Sequence, residues 1–306
     1  MQKTTPYRIK TITEYHNILC IAKPKHPLIS LISLDNFKPV ESDTKISVVF
    51  DFYMISLKRN FTGNINYLYG QQPYDFDEGI LFFIAPNQVF SFDADDDFTT
   101  TGWMLLIHPD FLWNTALAKN IIKYEYFRYS VNEALHLSEK EESIVENLIQ
   151  NIDQEYHNNI DKFSETIIIT QIETLLTYAD RFYNRQFLIR KKINHQILNR
   201  LEEILINYFN NDDLATKGIP SVQFIAEKLT VSPNYLSGLL KVLTGKSTQE
   251  HIQDRLIDKA KEKLSTTNLS MSEIAYQLGF DYPQTFGSLF KKKTNLSPLE
   301  FRQSFK

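Results

Sequence analysis

The sequence of 306 residues contains a single cysteine, Cys20. One thiol excludes a framework of intrachain disulfides and any group of thiolates that would hold zinc or an iron–sulfur cluster. Long apolar runs are also lacking, because the longest one, Ile80 to Ala85, is far shorter than the ~20 residues that span a bilayer. The first ten residues have no apolar segment of the kind found in signal peptides. We therefore expect a cytoplasmic protein that does not contact membranes.

Patterns that carry catalysis or bind metal are missing from the sequence. It has no nucleophile elbow, no glycine-rich loop that cradles phosphates and no His-Glu-x-x-His pattern. The seven histidines, including His108 and His136, are scattered without the spacing of metal ligands. We therefore expect no catalytic residues, no metal site and no cofactor.

Charge is distributed unevenly along a chain whose length predicts about two domains. Residues 191–306 hold 16 basic and 12 acidic side chains, whereas residues 1–190 hold 17 basic and 25 acidic ones. The C-terminal part therefore tolerates a polyanion better than the N-terminal part does. A basic run without clean periodicity at 185–194 marks the boundary. We predict domains at 1–186 and 187–306.

The N-terminal part has the pattern of short strands. Aromatic and β-branched residues alternate with turn formers in segments at 47–57, 66–69, 80–84, 89–92 and 103–107. This spacing predicts a small sandwich or barrel.

After Leu137 the apolar residues recur at helical spacing. Ser138 and Glu141 form a capping-box pattern ahead of a first apolar stripe, and a second stripe follows a polar turn near Asn158. A helical hairpin is predicted. Two interpretations of its apolar faces stay open: both pack on their own barrel, or part of them binds a second copy, which makes a homodimer through residues 138–184.

The C-terminal part contains an internal repeat. The apolar set Ile225, Ala226 and Leu229 recurs 49 residues later, and Leu239-Leu240-Lys241 recurs 50 residues later as Leu289-Phe290-Lys291. Each copy predicts a short helix beginning near Ser221 or Ser272, a tight turn, and a second helix at 232–243 or 283–293. This is the arrangement of a helix-turn-helix, and an all-α domain with two such units follows.

A predicted helix from Ser247 to about Leu264 joins the two copies. At ~1.5 Å per residue it is roughly 25 Å long, so the two second helices are expected about one DNA turn, ~34 Å, apart. Both helices can then enter successive major grooves from one side of a duplex.

The C-terminal hundred residues resemble the AraC/XylS family of bacterial transcription regulators. The resemblance is carried by Ile225-Ala-Glu-Lys-Leu, Ser232-Pro-Asn-Tyr-Leu-Ser, Ile274-Ala, Leu278-Gly-Phe and Ser297-Pro. More loosely, Asp51-Phe-Tyr and Gly79-Ile-Leu-Phe-Phe resemble the cupin-like sensor domain of such regulators. The resemblance implies double-stranded DNA as a partner, with a small-molecule effector and RNA polymerase as further candidates.

The sequence departs from this family in the predicted recognition helices, because Gly238 and Ser288 stand where members often have arginine. Other polar side chains must then contact the bases, and lysines contact the phosphates. The DNA-binding candidates are Ser232, Asn234, Tyr235, Ser237, Lys241, Lys246, Tyr282, Gln284, Thr285, Ser288, Lys291 and Lys292.

The cupin resemblance directs attention to aromatic residues of the strands. Metal-binding cupins use histidines at places that here hold Phe50 and Phe90, so no metal is expected. A ligand would enter an apolar pocket at the mouth of the barrel. The pocket candidates are Phe50, Phe52, Tyr67, Tyr69, Phe82, Phe90 and Trp103.

The favoured interpretation is an α+β protein: a cupin-like β-barrel with a helical hairpin that senses a signal and dimerises, followed by an all-α DNA-binding domain. The predicted function is sequence-specific regulation of transcription. Two alternatives stay open. In one, the barrel is a cupin enzyme with an appended helical interaction module. In the other, the helices bind proteins and never contact DNA.

Overall fold

The structure, a computed structural model, describes residues 6–35, 46–62, 79–92, 99–129, 133–158, 162–189, 191–210 and 213–304. The chain divides into two compact units, Met1–Gln186 and Phe187–Lys306. Among the helices that the structure describes, none has the length and apolar character needed to traverse a bilayer.

The first unit contains two β-sheets. Its strands are β1 (Tyr7–Ile9), β2 (Ile29–Ser33), β3 (Ile46–Phe50), β4 (Tyr53–Thr62), β5 (Gly79–Ile84), β6 (Val89–Phe92), β7 (Thr99–Ile107) and β8 (Leu135–Leu137). One sheet has the order β1-β3-β6 and the other the order β2-β7-β4-β5-β8. The pair β1 and β3 is parallel and the other pairs are antiparallel.

The closed barrel expected from the sequence is not confirmed. In the described ranges the two sheets remain separate and neither closes on itself. The predicted strand at 66–69 lies outside the described residues. What the structure shows is a mixed α+β chain with N-terminal sheets and a helical C-terminal region.

Strand alternation divides the larger sheet into two faces. The registered neighbours Met54, Ile84 and Leu106 point to the core that this sheet shares with the smaller one and with α1 (Ile12–Ile18). On the opposite face, Phe83 packs against Tyr126, whose hydroxyl donates a 2.7 Å hydrogen bond to the carbonyl oxygen of Leu176. The larger sheet is therefore covered on both sides.

After β7 the chain forms α2 (Ala116–Asn120), flanked by 3₁₀ turns at Pro109–Leu112, Ile121–Lys123 and Glu125–Arg128. It continues with α3 (Glu139–His157) and α4 (Lys162–Ile189), whose residues from Phe187 onward belong to the second unit. Ser138 and Glu141 form the predicted capping box of α3. In the second predicted stripe, which lies on α4, only Ile167 is exposed, and the other members are buried: Ile168, Ile172, Leu175, Leu176, Ala179 and Phe182. The apolar faces of the helical hairpin are thus largely buried within this chain.

The second unit is all helical. Its helices are α5 (Lys191–Asn210), α6 (Asp213–Lys217), α7 (Val222–Leu229), α8 (Pro233–Thr244), α9 (Thr248–Thr266), α10 (Met271–Gln277), α11 (Pro283–Thr294) and α12 (Pro298–Gln303). They share one apolar core, in which Leu236 and Leu240 of α8 and Phe286 and Phe290 of α11 are nearly inaccessible to solvent.

Candidate nucleic-acid interface

The repeat seen in the sequence is a repeat of structure. Helices α8 and α11, which we call the recognition helices, are both 12 residues long and begin with a proline 50 residues apart. Each ends at a residue in the left-handed conformation, Gly245 with φ 75° and Asn295 with φ 61°. Capping boxes at Ser247 and Ser297 then start the next helix in both copies.

The helix that precedes each recognition helix also repeats. Ser221 caps α7, and Ser270 caps α10 with Glu273 as the partner of a capping box. The second of these helices therefore begins two residues before the predicted Ser272, because Ser270 is the residue whose hydroxyl accepts the amide at the third helical position. The true caps lie 49 residues apart, which is the offset of the repeat in this region.

The predicted contact residues of α11 lie on its solvent side. Phe286 and Phe290 hold the helix against the core with exposed fractions of 1% and 0%. The predicted residues around them are all exposed: Tyr282, Gln284, Thr285, Ser288, Lys291 and Lys292. This helix therefore presents a polar and basic face to solvent.

Two predicted contact residues of α8 face inward instead. Tyr235 is 4% exposed, and its ring packs edge-to-face on Phe187 with 5.1 Å between centroids. Ser232 is 8% exposed, and its hydroxyl caps the helix by accepting the amide of Tyr235 at 3.2 Å. Neither side chain is presented to solvent, so the structure does not support them as DNA contacts. In a sequence, a tyrosine or a serine fits either an exposed DNA contact or a buried structural role, and only the packing of the fold distinguishes the two.

The other predicted residues of α8 are partly accessible. Asn234 and Ser237 are half-buried, and the Ser237 hydroxyl lies 3.0 Å from that of Thr248 in a hydrogen bond. Lys241 is exposed on the same helix, and Lys246 is exposed just beyond its end. The first recognition helix therefore presents fewer polar side chains to solvent than the second.

A network of charges joins the recognition helices to α9. Asp254 accepts hydrogen bonds from Lys246 at 2.7 Å and from Lys293 at 2.8 Å. Partial burial opposes ionisation of Asp254, but the two lysines outweigh it, so the pKa of this carboxyl lies below its ordinary value. Glu202 of α5 pairs with Arg255, which follows Asp254 on α9. Sequence reasoning missed Lys293 and Asp254, because nothing in their spacing shows that they meet.

The aromatic pocket candidates of the first unit do not share one face. Phe50, Phe52 and Phe82 are buried and Phe90 is half-buried, all on the side between the two sheets. Trp103 lies on the opposite face, where its indole donates a 3.1 Å hydrogen bond to Glu146 of α3. Trp103 is therefore not a neighbour of the phenylalanines, and Tyr67 and Tyr69 lie outside the described residues.

Lys58 is a half-buried cation on the face of β4 that is directed between the sheets, and the sequence pattern does not single it out. Its ammonium lies 5.4 Å from the ring centroid of Phe82. Burial lowers the pKa of Lys58 to about 8. In the described ranges, no group of three His, Cys, Asp or Glu side chains is arranged to hold a metal ion.

The comparisons with known proteins concern mainly the second unit. Residues 225–304 match the family described as helix-turn-helix domain. An uncharacterized HTH-type transcriptional regulator in the cgkA 5' region of Pseudoalteromonas carrageenovora is 33% identical over 115 residues, which cover 37% of this chain and 63% of the relative. The arabinose operon regulatory protein of Escherichia coli is 30% identical over 141 residues, which cover 46% of this chain and 45% of the relative. The matched segment thus spans less than two thirds of either relative.

Among solved structures, the C-terminal domain of AraT, a response regulator from Geobacillus stearothermophilus, is 31% identical. The match covers 35% of this chain and 84% of that chain, with a TM-score of 0.31. The match to the domain family and the identity to these regulators make residues 225–304 an AraC-type helix-turn-helix domain.

Proposed function

We propose that the protein binds double-stranded DNA sequence-specifically through its second unit and thereby regulates transcription. The observation that carries this proposal is the exposed polar and basic face of α11, repeated in part on α8, within two copies of a helix-turn-helix. The relatives named above, which are regulators of transcription, support it.

The roles of the exposed residues follow from position and chemistry. Residues near the N-terminal end of a recognition helix contact base edges in the major groove. In α11 these are Gln284, Thr285 and Ser288, of which glutamine matches the adenine edge. Lys291 and Lys292, one turn or more further along, contact phosphates and fix the register without reading sequence. In α8 the half-buried Asn234 and Ser237 and the exposed Lys241 take the corresponding roles.

Selection of bound duplexes from a random pool tests the proposal. The purified full-length protein should enrich a motif, and fluorescence anisotropy should show that the enriched duplex binds at least 10³-fold tighter than random duplex at physiological salt. Footprinting should show protection of two successive major grooves per chain. Failure to enrich any motif, with no binding of random duplex at low salt, contradicts the proposal and favours the protein-scaffold alternative.

A matched pair of variants distinguishes loss of a base contact from the effect of removing any exposed glutamine side chain. Gln284→Ala should weaken binding to the enriched duplex by roughly 5- to 150-fold and relax selectivity at one position, since a good side-chain contact with a base is worth about 1–3 kcal/mol. Gln249→Ala changes an exposed glutamine on α9, outside the recognition helices, and should bind as the unchanged protein does. Equal losses in both variants contradict the role of Gln284.

We further infer a cupin-like sensing role for the first unit. The aromatic residues between the sheets, Phe50, Phe52, Phe82 and Phe90, support an apolar site for a small organic molecule. Native mass spectrometry of the purified protein tests for a retained small molecule. Retention that is lost in Phe90→Ala supports a site between the sheets, and retention that is unchanged contradicts it.

The homodimer through residues 138–184 is part of the same proposal. Most of the apolar stripe on α4 is buried within its own unit, so the surface left for a second copy is small and includes Phe163 and Ile167. Sedimentation equilibrium should show a dimer at micromolar concentration that Ile167→Asp weakens. A monomer at all concentrations contradicts this part of the proposal.

RNA polymerase as a partner would be tested in a reconstituted transcription reaction with the enriched duplex upstream.

A further inference from the structure

One carboxylate in the second unit contacts both helix-turn-helix copies. Oδ2 of Asp254 accepts a hydrogen bond from Nζ of Lys246, and Oδ1 accepts one from Nζ of Lys293, at 2.7 and 2.8 Å. Lys246 follows the end of α8 by two residues, and Lys293 lies in the last turn of α11. Asp254 itself lies on α9, the helix that connects the two copies.

This arrangement is not a consequence of the repeat. With an offset of 50 residues, Lys246 corresponds to Leu296 and Lys293 corresponds to Leu243, while Asp254 corresponds to Ser304. The three charged residues therefore occupy positions whose equivalents are uncharged. The contact joins the copies asymmetrically, through a side chain present in only one of them.

The charges form a compact unit that resists separation. Asp254 has 32% of its side chain exposed and Lys293 has 22%, so neither is fully solvated, whereas Lys246 has 54% exposed. A single exposed ion pair contributes little to stability. When two lysines share one carboxylate, the first ion pair already orders the Asp254 side chain, so the second forms with a smaller loss of side-chain entropy. Both carboxylate oxygens are occupied, so the C-terminal ends of the two recognition helices are held at one point of α9.

We propose that Asp254 is a positioning residue that holds the two recognition helices in a fixed mutual arrangement, so that they bind two successive DNA grooves as one unit. The proposal rests on the proposed DNA-binding function and adds a residue that contacts no DNA. Without this contact, each helix still binds a groove, but fixing the second helix costs conformational entropy when the protein binds.

A purely electrostatic role for Asp254 makes the opposite prediction. If the carboxylate merely reduces the positive potential near Lys246 and Lys293, its neutralisation raises the affinity for any duplex and steepens the salt dependence. Positioning instead predicts a selective loss on duplexes that offer both grooves. Asp254→Asn distinguishes the two, since it removes the charge at nearly constant shape.

The first measurement needs no DNA. In a Cys20→Ser background, nitroxide labels at Lys241→Cys on α8 and Ser288→Cys on α11 report the distance between the recognition helices by pulsed electron paramagnetic resonance. Asp254→Asn should widen the distance distribution about twofold. The control Asp258→Asn, which removes an exposed carboxylate of the same helix that lies 3.8 Å from Lys261, should leave it unchanged. An unchanged distribution in Asp254→Asn overturns the proposal.

The second measurement uses the full-length protein without labels and the duplex enriched from the random pool. Asp254→Asn should bind this duplex roughly fivefold more weakly. An exposed ion pair contributes up to ~1 kcal/mol, and the substitution weakens two such pairs without abolishing both hydrogen bonds. A duplex with one half of the site scrambled should bind both proteins equally. Asp254→Glu, which keeps the charge, should recover affinity to within about twofold. Tighter binding of Asp254→Asn to both duplexes overturns the proposal.

The two measurements separate this proposal from the function on which it rests. If the unchanged protein binds no duplex, the proposed function is wrong, and the distance distribution alone decides the role of Asp254. If the protein binds the enriched duplex and the distribution does not widen, the function stands and the positioning role is wrong. Circular dichroism of each variant shows that it is folded.

Discussion

The guanidinium of Arg185 donates two hydrogen bonds to the carboxylate of Glu141, at 3.0 and 2.6 Å. A third hydrogen bond, of 2.7 Å, runs from Arg185 to the carbonyl oxygen of His136. Glu141 also accepts the amide of Ser138 in the capping box of α3. One arginine of α4 thereby connects β8 and the first turn of α3, and both charged side chains are largely shielded from solvent.

Replacing this arginine should destabilise the first unit. Arg185→Met leaves the carboxylate of Glu141 partly buried without its cation, and we expect a loss of about 2 kcal/mol in the free energy of unfolding. Both tryptophans, Trp103 and Trp113, belong to the first unit, so urea denaturation followed by tryptophan fluorescence reports this unit alone.

The control for Arg185 is an exposed ion pair in the same unit. Asp153 and His157 are both about half exposed one helical turn apart on α3. Asp153→Asn should change the free energy of unfolding by less than about 0.5 kcal/mol. An effect of Arg185→Met as small as that of the control would show that the pair is solvated in solution.

Two glycines of the second unit have similar backbone angles and different surroundings. Gly279 has φ 80°, and a Cβ there would lie 2.9 Å from the carbonyl oxygen of Leu214 and 3.0 Å from backbone atoms of Gly218. Gly245 has φ 75° with no atom within 4 Å of such a Cβ. The left-handed conformation costs alanine about 1 kcal/mol at either site, and only Gly279 adds a backbone clash.

Gly279→Ala should therefore lower stability by about 3 kcal/mol and Gly245→Ala by about 1 kcal/mol, with overpacking as the difference. Urea denaturation followed by circular dichroism at 222 nm measures both, because the second unit is all helical and the transition of the first unit is identified separately by tryptophan fluorescence. Equal losses of stability in the two variants would mean that the backbone near Gly279 shifts to accommodate the Cβ without a further loss of free energy.

The sequence predicted most of the second unit because caps and apolar spacing are local signals. Ser221, Ser247 and Ser297 all begin helices where their patterns indicate, as Ser138 does in the first unit. The burial of Tyr235 could not be predicted, because a helical wheel does not show that Phe187, 48 residues earlier, covers one side of α8. Asp254 was missed for the same reason: its partners come from separate elements.

The strands were harder to interpret than the helices. Phe82 and Trp103 both belong to strands, but alternation fixes only which residues share a face, not which face meets the other sheet. The register places Phe82 opposite Ser56, and Trp103 opposite Leu57 on the other face. Closure of a barrel depends on strand pairing between distant segments, which the amino-acid pattern does not determine.

His251 makes the second unit sensitive to pH. The hydroxyl of Thr244 donates its single proton to the carbonyl oxygen of Leu240 at 2.8 Å, so it accepts from Nε2 of His251 at 2.9 Å. Burial lowers the pKa of His251, and the carboxylate of Glu202, 4.0 Å away, offsets this only in part. The folded protein therefore binds the proton less readily than the unfolded chain.

The stability of the second unit should fall as pH decreases through about 6.5. In that window the unfolded chain takes up the proton before the folded one does, so acid favours unfolding. His251→Gln keeps a donor to Thr244 and does not titrate. Its urea midpoint, from circular dichroism, should fall less between pH 7 and pH 5.5 than that of the unchanged protein. Equal decreases would place the pH dependence in other groups.

Lys291 and Lys292 should account for part of the salt dependence of DNA binding. Each phosphate contact of a lysine contributes about 0.9 to the slope of log affinity against log salt concentration, because the contact releases a counterion. Lys291→Gln and Lys292→Gln should each reduce the slope by about that amount. Both should weaken binding to enriched and random duplexes by the same factor, since phosphates carry no sequence information.

Lys140→Gln is the matched control, because Lys140 is an exposed lysine of α3 in the first unit. It changes the net charge of the protein as much as the other two variants do. Anisotropy titrations at four salt concentrations should give the control the slope of the unchanged protein. If all three variants reduce the slope equally, the lysines of α11 act through net charge alone, and the basic face of the second recognition helix does not lie against the DNA backbone.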